Sequence, residues 1–485
     1  MSRQPPPPAV RGPAWWVAPA FIGLLLVPST WVMLGAIACL AARYGRRAYH
    51  RARERRHAQE ALSRSGSGRE ASVVLGTDTD GRVVQLDKRQ LAAHGLILGA
   101  SGAGKSTTLL SILTAQIARG APVVAIDLKG SPAFARTLRD AALAAGRPFR
   151  CWSPDGPDTW NPLGHGNATE LKDKLIATER FTEPHYQRAA ERYVQTALQV
   201  LQATGDRRVT VGRVVNVLEP VRLAGLARRL PAERATRVGD YLASLTPDQL
   251  SAVRGLASRL AIISESHTGR YLEDLSGAGI DLRAALSGSE VVVFSLNSST
   301  YGRLSAQLGT LVVQDLVSVA GQRLQAGGSV QATVGIDEFS ALESDNVVRL
   351  LARGREAGVS VLLATQELAD LDRAARGLRD QVLGNTAVKI AHRQDVPRSA
   401  ETVAQLAGTV PDWERSYSVR PGRWGGERVE QGSLRQVDRY VVEPDRVRSL
   451  RTGEAVVIVK TPVSRAQVTR VLAPRLDRDE RAAER

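Results

Sequence analysis

The stretch GLILGASGAGKSTTLL, residues 95–110, decides the fold of this chain's core. Its central part, GASGAGKS from Gly99 to Ser106, fits the pattern G-x-x-x-x-G-K-[ST] at every required position. A strand-like apolar run precedes it and a helix-like run follows it, which is the setting that a phosphate-binding loop requires. The stretch therefore predicts a nucleotide site between a strand and a helix.

The residue types in this loop suit a nucleotide phosphate and its metal. Glycines let backbone N–H groups wrap the phosphates, and the N-terminus of the following helix adds positive potential. Lys105 is expected to reach the β- and γ-phosphates, and Ser106 to bind Mg²⁺. We therefore expect ATP and Mg²⁺ as cofactors. The predicted nucleotide-binding residues are Gly99, Ala100, Ser101, Gly102, Ala103, Gly104, Lys105, Ser106 and Thr107.

Short apolar runs rich in β-branched residues recur from residue 73 onward, and helix-like stretches separate most of them. Buried strands that alternate with helices indicate an α/β fold with a mainly parallel sheet covered on both faces. The segment VVLGTDTDGRVVQL (73–86) predicts a β-hairpin that turns at Asp80 and Gly81. The runs that predict buried strands are GLILG (95–99), PVVAID (122–127), EVVVFSL (290–296), ATVGID (332–337), SVLLAT (360–365), AVKIA (387–391) and EAVVIV (454–459).

Between residues 167 and 285 the strand-like runs disappear. Apolar residues recur there at i, i+3, i+4 and i+7, for example in ERYVQTALQVLQ (191–202), which indicates helices. We therefore predict an all-α domain, 167–285, inserted into a nucleotide-binding domain formed by residues 73–166 and 286–464. The tail, 465–485, is charged and is predicted to be disordered.

The N-terminal region predicts a membrane anchor. After a tail of residues 1–13, residues 14–42 contain no charged side chain, whereas a helix needs only about 20 apolar residues to cross a bilayer. Seven arginines follow between residues 43 and 56, within a basic stretch and linker, 43–72, so the positive-inside rule puts the main body in the cytoplasm. One tilted span is the simplest interpretation, and a tight hairpin that turns at VPST (27–30) is the alternative.

The charge of the chain favours an anionic partner without identifying it. The 485 residues carry a formal net charge of +16, of which residues 1–60 account for +7 through nine Arg and two Glu. The remainder is therefore only moderately basic, which fits DNA binding and an ordinary solvated surface about equally well. The two cysteines have no zinc-ligand spacing, so a zinc site and a disulfide framework are both disfavoured.

Two strand ends supply candidates for metal binding and catalysis. TVGIDEF (333–339) ends an apolar strand in two carboxylates. Asp337 suits the outer coordination sphere of Mg²⁺, and Glu338 suits the base that orients the attacking water. Gln366 closes the next strand, where an amide can sense the γ-phosphate or that water.

The turn before that next strand carries two arginines. In a ring-shaped assembly, Arg353 or Arg355 could face the nucleotide of a neighbouring subunit and act in trans as an arginine finger. Surface arginines near the C-terminus of a helix are the simpler alternative.

The ordered set of motifs resembles the type IV secretion and conjugation coupling proteins of the TraG/TraD group, which belong with the FtsK/HerA-like motor ATPases. The resemblance covers about residues 73–415 and the N-terminal anchor. The motifs that carry it, besides the phosphate-binding loop, are IDLKG (126–130), WNPLG (160–164), GIDEFSAL (335–342), GREAG (354–358) and LLATQ (362–366).

The resemblance implies a RecA-like P-loop core in a membrane-anchored homo-hexamer that feeds single-stranded DNA, with its relaxase, into a secretion channel. It also implies that the all-α domain faces the DNA and relaxase. Carried over by position, the matching residues are Lys105 and Ser106 for Walker A, Asp337 and Glu338 for Walker B, Arg355 for the arginine finger, Gln366 for the third motif, and Asp127 and Lys129 for a post-strand motif without an assigned role.

Three alternatives remain open. The first is an FtsK-like translocase of double-stranded DNA, and the second is an ATPase that secretes effector proteins. The third, a membrane scaffold that uses nucleotide as a structural switch, is disfavoured because it would not need the water-orienting Glu338 and Gln366. The single apolar run leaves no room for the small external domain of many relatives, which favours a simpler conjugation apparatus.

Overall fold

The central β-sheet positions the phosphate-binding loop and the predicted residues Asp337, Glu338 and Gln366. The computed structural model describes residues 72–474, except 180, 182, 206–207, 275, 328–329, 343 and 423–424. The predicted transmembrane segment, 14–42, lies outside the described residues. The strands are β1 Val73–Asp78, β2 Val83–Leu86, β3 Gly95–Leu98, β4 Val123–Asp127, β5 Phe149–Trp152, β6 Val291–Ser295, β7 Ala332–Asp337, β8 Val359–Thr365, β9 Val388–Ala391, β10 Thr409–Gly422, β11 Gly425–Tyr440, β12 Glu454–Val459 and β13 Arg465–Val471.

Among the described residues, eleven strands form one sheet in the order β2-β1-β13-β12-β9-β3-β8-β7-β4-β6-β5. The half from β9 to β5 is parallel, and the other strands join it antiparallel. Strands β3, β4, β7, β8 and β9 are buried along their whole length, as their mainly apolar, β-branched runs predicted. Since the carboxyl ends of parallel strands share one edge, the loops after them meet there.

Helices cover both faces of the sheet. Leu109 of α2 and Phe134 of α3 are buried on one face, whereas Leu311 of α11 and Leu350 of α12 are buried on the other. The helices are α1 Lys88–Ala92, α2 Lys105–Ala118, α3 Pro132–Ala144, α4 Ala168–Ile176, α5 Pro184–Ala203, α6 Val211–Val217, α7 Pro220–Ala227, α8 Ala232–Ala243, α9 Pro247–Ser264, α10 Leu282–Ser287, α11 Ser298–Gln325, α12 Ser344–Gly354, α13 Leu368–Ala374, α14 Leu378–Asn385, α15 Pro397–Ala407 and α16 Pro444–Arg448.

The segment predicted to be all helical contains α4 to α9 and the start of α10. Its two ends meet at its base, where Ile280 N–H donates to the Thr159 carbonyl at 2.8 Å and Trp160 N–H donates to the Tyr271 carbonyl at 2.9 Å. The chain therefore leaves the sheet and returns to it at one place, as expected of an insertion.

Buried polar contacts attach this insertion to α11. Lys174 Nζ lies 2.7 Å from Asp315 Oδ1, and both side chains are almost completely buried. Glu179, whose side chain is also buried, accepts a hydrogen bond of 2.8 Å from Gln307 Nε2. Breaking a buried ion pair by removing one partner costs about 3–5 kcal/mol, so these contacts fix the insertion firmly to the core.

The tail departs from the prediction of disorder. Strand β13 lies inside the segment 465–485 and pairs with both β12 and β1. The prediction of disorder is therefore wrong for Arg465–Val471. Their polar sequence allows a strand because β13 is only partly buried, and pairing on both sides satisfies its backbone.

A long two-stranded ribbon, β10–β11, is not predicted by the sequence pattern and forms a separate sheet. Cross-strand polar contacts stabilise one of its faces, including an ion pair of 3.1 Å between Arg439 and Asp412. Trp413, on the opposite face, is 59% exposed.

One helix of the described region, α11, is long and apolar enough to cross a membrane by length and composition. Most of it is buried inside the protein, with 78% of its most apolar window inaccessible, which is the behaviour of a core helix.

Candidate nucleotide-binding site

The predicted phosphate-binding loop connects β3 to α2, with Lys105 as the first residue of the helix. Gly104 has φ 120°, a backbone conformation that L side chains rarely adopt. Gly99 is required for a different reason, because a Cβ there would lie 2.6 Å from the Cβ of His392. Ser101, Gly102 and Thr107 are exposed at the mouth of the loop, whereas Ala100 and Ala103 are buried beneath it.

Lys105 is held inside the loop by backbone carbonyls. Its Nζ donates to the Gly99 carbonyl at 2.7 Å and to the Ala100 carbonyl at 3.2 Å. Burial lowers the pKa of Lys105, and the nearby Glu338 carboxylate opposes that change. The loop therefore holds a cationic group at the point where the motif needs one.

Ser106 and Asp337 are brought together as the sequence predicted. Ser106 Oγ donates to Asp337 Oδ2 at 2.7 Å. Asp337 Oδ1 is buried and has no hydrogen-bond partner within the described part of the chain. A buried carboxylate oxygen without a partner costs free energy, and hydroxyl and carboxylate oxygens are ligands that Mg²⁺ accepts. These residues therefore fit the predicted metal.

Glu338 and Gln366 also meet. Gln366 follows β8 and Glu338 follows β7, and Gln366 Nε2 donates to Glu338 Oε1 at 3.1 Å. Glu338 has φ 58°, ψ 41°. A non-glycine residue in this left-handed conformation costs about 1–3 kcal/mol, and such strain concentrates at functional sites.

The post-strand motif forms the neighbouring wall. The Asp127 carboxylate accepts hydrogen bonds from the backbone N–H of Lys129 at 3.0 Å and of Ser131 at 2.6 Å. Burial raises the pKa of Asp127 to about 6. Lys129 Nζ lies 2.8 Å from Glu338 Oε1 and 3.8 Å from Asp337 Oδ2. The sequence motif flagged both Asp127 and Lys129, and the structure brings Lys129 to the acidic pair.

His392 lies beneath the phosphate-binding loop and was not among the predicted residues. Its Nε2 lies 2.8 Å from Thr108 Oγ1 and its Nδ1 lies 2.9 Å from the Glu454 carbonyl, so it joins α2 to β12 beneath the loop. Burial lowers its pKa to about 4. The sequence feature that could have identified His392 is its position directly after β9, because β9 pairs with β3, the strand that leads into the phosphate-binding loop.

Arg353 and Arg355 are not part of this cluster. Both are exposed, and Arg355 precedes β8 whereas Gln366 follows it. The seven residues of β8 span about 23 Å, so Arg355 lies at the opposite edge of the sheet from the loop. Only a second subunit could bring this side chain to a nucleotide bound at the loop.

Two protein-family models match the chain. One, described as the TraM recognition site of TraD and TraG, matches residues 331–452. The other, the FtsK/SpoIIIE family, matches residues 56–135. The ESX-4 secretion system protein EccC4 of Mycobacterium tuberculosis is 39% identical over 71 residues, which are 13% of this chain and 6% of that protein. The chain thus matches only a small part of this curated relative.

Solved structures share the fold at low identity. The bacterial conjugative coupling protein TrwBdeltaN70 has a TM-score of 0.60 at 15% identity, over 84% of this chain and 90% of that chain. TrwB in complex with ADP and Mg²⁺ has a TM-score of 0.60 at 16% identity, over the same shares. VirB4 of Thermoanaerobacter pseudethanolicus has a TM-score of 0.55 at 15% identity, over 84% of this chain and 97% of that chain. The predicted α/β core, RecA-like with a mostly parallel sheet, is confirmed.

Proposed function

We propose, for a chain related to the conjugation coupling proteins of the FtsK/HerA-like P-loop superfamily, that it is an ATP-driven motor that moves DNA. The specific proposal is a coupling protein that delivers a relaxase with its single-stranded DNA to a conjugative or type IV secretion channel. One observation carries the motor assignment. Two hydrogen bonds, from Gln366 to Glu338 and from Ser106 to Asp337, bring the predicted water-orienting and metal-binding groups together beside the phosphate-binding loop.

Each residue of the site has a task in this proposal. The loop backbone and Lys105 would bind and orient the phosphates, and Ser106 and Asp337 would hold Mg²⁺. When bound, Mg²⁺ would supply neutralisation of the phosphate charge. Glu338 orients the attacking water and accepts its proton, and Gln366 positions the Glu338 carboxylate. Arg355 of a neighbouring subunit in a homo-hexamer acts on the same phosphates.

The all-α domain supports an anionic cargo. A groove of about 1060 Å³ between α5 and α8 is lined by Arg192, Arg234 and Arg237, among other residues. Guanidinium groups in a groove can contact a phosphate backbone without reading sequence. Asp240 also lines the groove and Arg237 pairs with Glu233, so the guanidinium groups stand in a surface of mixed charge. The choice of DNA over a protein cargo, and of single strands, rests on the family resemblance.

The cellular setting is part of the proposal. Residues 14–42 would anchor the motor in the bacterial cytoplasmic membrane, with residues 72–474 in the cytoplasm. There the motor would meet the relaxase on one side and the secretion channel on the other.

The test measures ATP hydrolysis by the full chain in detergent with no DNA, with single-stranded DNA and with duplex DNA, using Lys105→Ala as the blank. Stimulation mainly by single strands, lost in the Lys105→Ala protein, supports the coupling function. Stimulation by duplex alone would instead support an FtsK-like pump. A robust basal rate that neither DNA changes would contradict a DNA cargo and favour effector-protein secretion.

A further inference from the structure

Lys129 places a positive charge on the two carboxylates that the proposed motor uses for metal binding and hydrolysis. Its Nζ lies 2.8 Å from Glu338 Oε1 and 3.8 Å from Asp337 Oδ2. Glu338 Oε1 also accepts the hydrogen bond from Gln366. The same oxygen therefore has two donors, and one of them is a full cation.

The loop that carries Lys129 is fixed on both sides. Asp127 accepts the backbone N–H of Lys129, and the Leu128 carbonyl accepts the N–H of Ser298 at 2.8 Å. Gly130 is so close to the next loop that a Cβ on it would lie 2.5 Å from Asn297 Cα. These contacts therefore hold the backbone of Lys129 in one position.

The side chain of Lys129 has freedom that its backbone lacks. It is 41% exposed, whereas the side chains of Glu338 and Asp337 are 14% and 2% exposed. A lysine side chain has a flexible four-carbon stem and a compact charge. Its ammonium group can therefore move away from Glu338 Oε1 without movement of the backbone. The ammonium can therefore withdraw toward solvent while the carboxylates stay in place.

A second cation at this acidic pair would meet the charge of Lys129. The orphaned Asp337 Oδ1 and the Ser106–Asp337 contact mark where Mg²⁺ fits, on the same carboxylate that Lys129 approaches. Two like charges at one carboxylate pair disfavour each other. The Glu338 carboxylate, occupied by an ammonium, is also less available to a water molecule.

We propose that Lys129 is a positioning residue that competes with the metal: it neutralises Asp337 and Glu338 in the protein without nucleotide and releases them when nucleotide and Mg²⁺ arrive together. This inference rests on the proposed ATPase function. Its consequence is that Lys129 weakens the contribution of Mg²⁺ to nucleotide binding.

The first test measures ADP affinity of the full chain by calorimetry, once in EDTA and once with Mg²⁺. Lys129→Met removes the charge and keeps the length of the side chain, Lys129→Arg keeps the charge, and the exposed Lys88→Met is the matched control. In Lys129→Met we expect the Mg²⁺-dependent gain in affinity to rise about fivefold or more, the lower range for coupling between two ligands. Affinity in EDTA should stay the same or fall, because the charge of Lys129 acts on Lys105 in the phosphate-binding loop and its loss can only reduce the attraction for the phosphates.

An unchanged Mg²⁺-dependent gain in a folded Lys129→Met protein overturns the proposal. A wild-type chain that binds no ADP in either condition contradicts the proposed function itself, so the two failures are distinguishable. Lys129→Arg should behave like wild type, because it keeps the competing charge.

A second measurement uses the wild-type chain and does not depend on the folding of a variant. Amine acetylation at Lys129 is followed by mass spectrometry with ADP present in both samples, one with EDTA and one with Mg²⁺. Release of the ion pair by the metal predicts at least about twofold faster acetylation of Lys129 with Mg²⁺, and no change at Lys88. Equal acetylation of Lys129 in the two samples would contradict the proposal.

Discussion

The hydrogen bond of 3.1 Å from Gln366 Nε2 to Glu338 Oε1 joins the ends of two adjacent parallel strands. It crosses the edge of the sheet beside the phosphate-binding loop. The bond therefore sets the direction of a carboxylate whose own backbone is in a left-handed conformation.

Replacement of Gln366 by Ala should lower kcat about 10- to 100-fold and leave KM within about twofold, because a hydrogen bond to a charged group contributes about 1.5–3 kcal/mol. The substitution removes the hydrogen bond that orients Glu338 and leaves the groups that bind the phosphates unchanged. Steady-state ATP hydrolysis measures both constants. Gln331→Ala is the control, since Gln331 lies at the other edge of the sheet and donates to the Lys88 carbonyl. A rise in KM with an unchanged kcat would assign Gln366 to nucleotide binding instead.

Arg355 should act only between subunits, since it lies at the far end of β8 from its own phosphate-binding loop. Lys105→Ala and Arg355→Ala proteins should each lose nearly all hydrolysis when assayed alone. When the two are mixed and assembled together, some interfaces pair an intact loop with an intact arginine. We expect the mixture to recover activity, measured as the ATPase rate against mixing ratio. No recovery at any ratio, in assemblies shown to contain both proteins, would exclude an arginine finger at Arg355.

The free energy of unfolding should fall as the pH drops from about 6.5 to 4, because two buried histidines are neutral in the folded chain. His94 Nδ1 accepts the Val361 N–H at 3.0 Å and its Nε2 faces the Leu351 carbonyl at 2.9 Å. Burial lowers the pKa of His94 to about 4, as it does that of His392. Between those pH values the unfolded chain binds more protons, so each histidine removes on the order of 3 kcal/mol by pH 4.

Asp127 changes the free energy of unfolding in the opposite direction. Its pKa is raised to about 6, so the folded chain binds this proton at a higher pH than the unfolded chain does, and this group adds stability as the pH falls. Denaturant unfolding of the full chain at a series of pH values measures the sum. His94→Asn, which tolerates the positive φ of this position, should give a shallower decline. An equal slope in the variant would show that His94 does not titrate as described.

Gly302 interrupts α11 with φ 45° and ψ −113°, a conformation outside the helical range. A Cβ there would meet no described atom within 4 Å, so the cost of Gly302→Ala lies in the backbone alone, about 1–3 kcal/mol. Gly321→Ala, at an equally open position within the regular part of the same helix, should instead stabilise by up to about 1 kcal/mol. Denaturant unfolding measures both. Equal effects of the two substitutions would mean that the break at Gly302 is not required by the fold.

The clustering of residues at the candidate nucleotide site could be predicted because its parts are local in sequence. The loop, the strand that ends in Asp337 and the strand before Gln366 each carry a complete signal within about ten residues. Parallel pairing then brings strand ends together at one edge, so the meeting of Ser106 with Asp337 followed from the fold class. The meeting of Lys129 with Glu338 depends on which strand lies beside β7, and sequence spacing does not give the strand order.

The elements that sequence did not reveal are those whose form depends on distant partners. β13 has a polar sequence and becomes a strand only because β1 and β12 pair with it on both sides. The β10–β11 ribbon has a largely polar sequence without a regular apolar alternation, and its cross-strand ion pair joins residues 27 positions apart. His392 has no motif of its own, and its role depends on β9 lying next to β3.

The attachment of the helical insertion to α11 has a mechanical consequence. Because Lys174 and Asp315 form their ion pair inside the core, and Glu179 is bound to the same helix, the insertion cannot swing on its base without exposing or unpairing buried charge. Each protomer would then turn as one rigid body. In a ring of such protomers, the movement that pulls on a cargo would be relative rotation between neighbours, at the interface where Arg355 of one protomer would meet the nucleotide of the next.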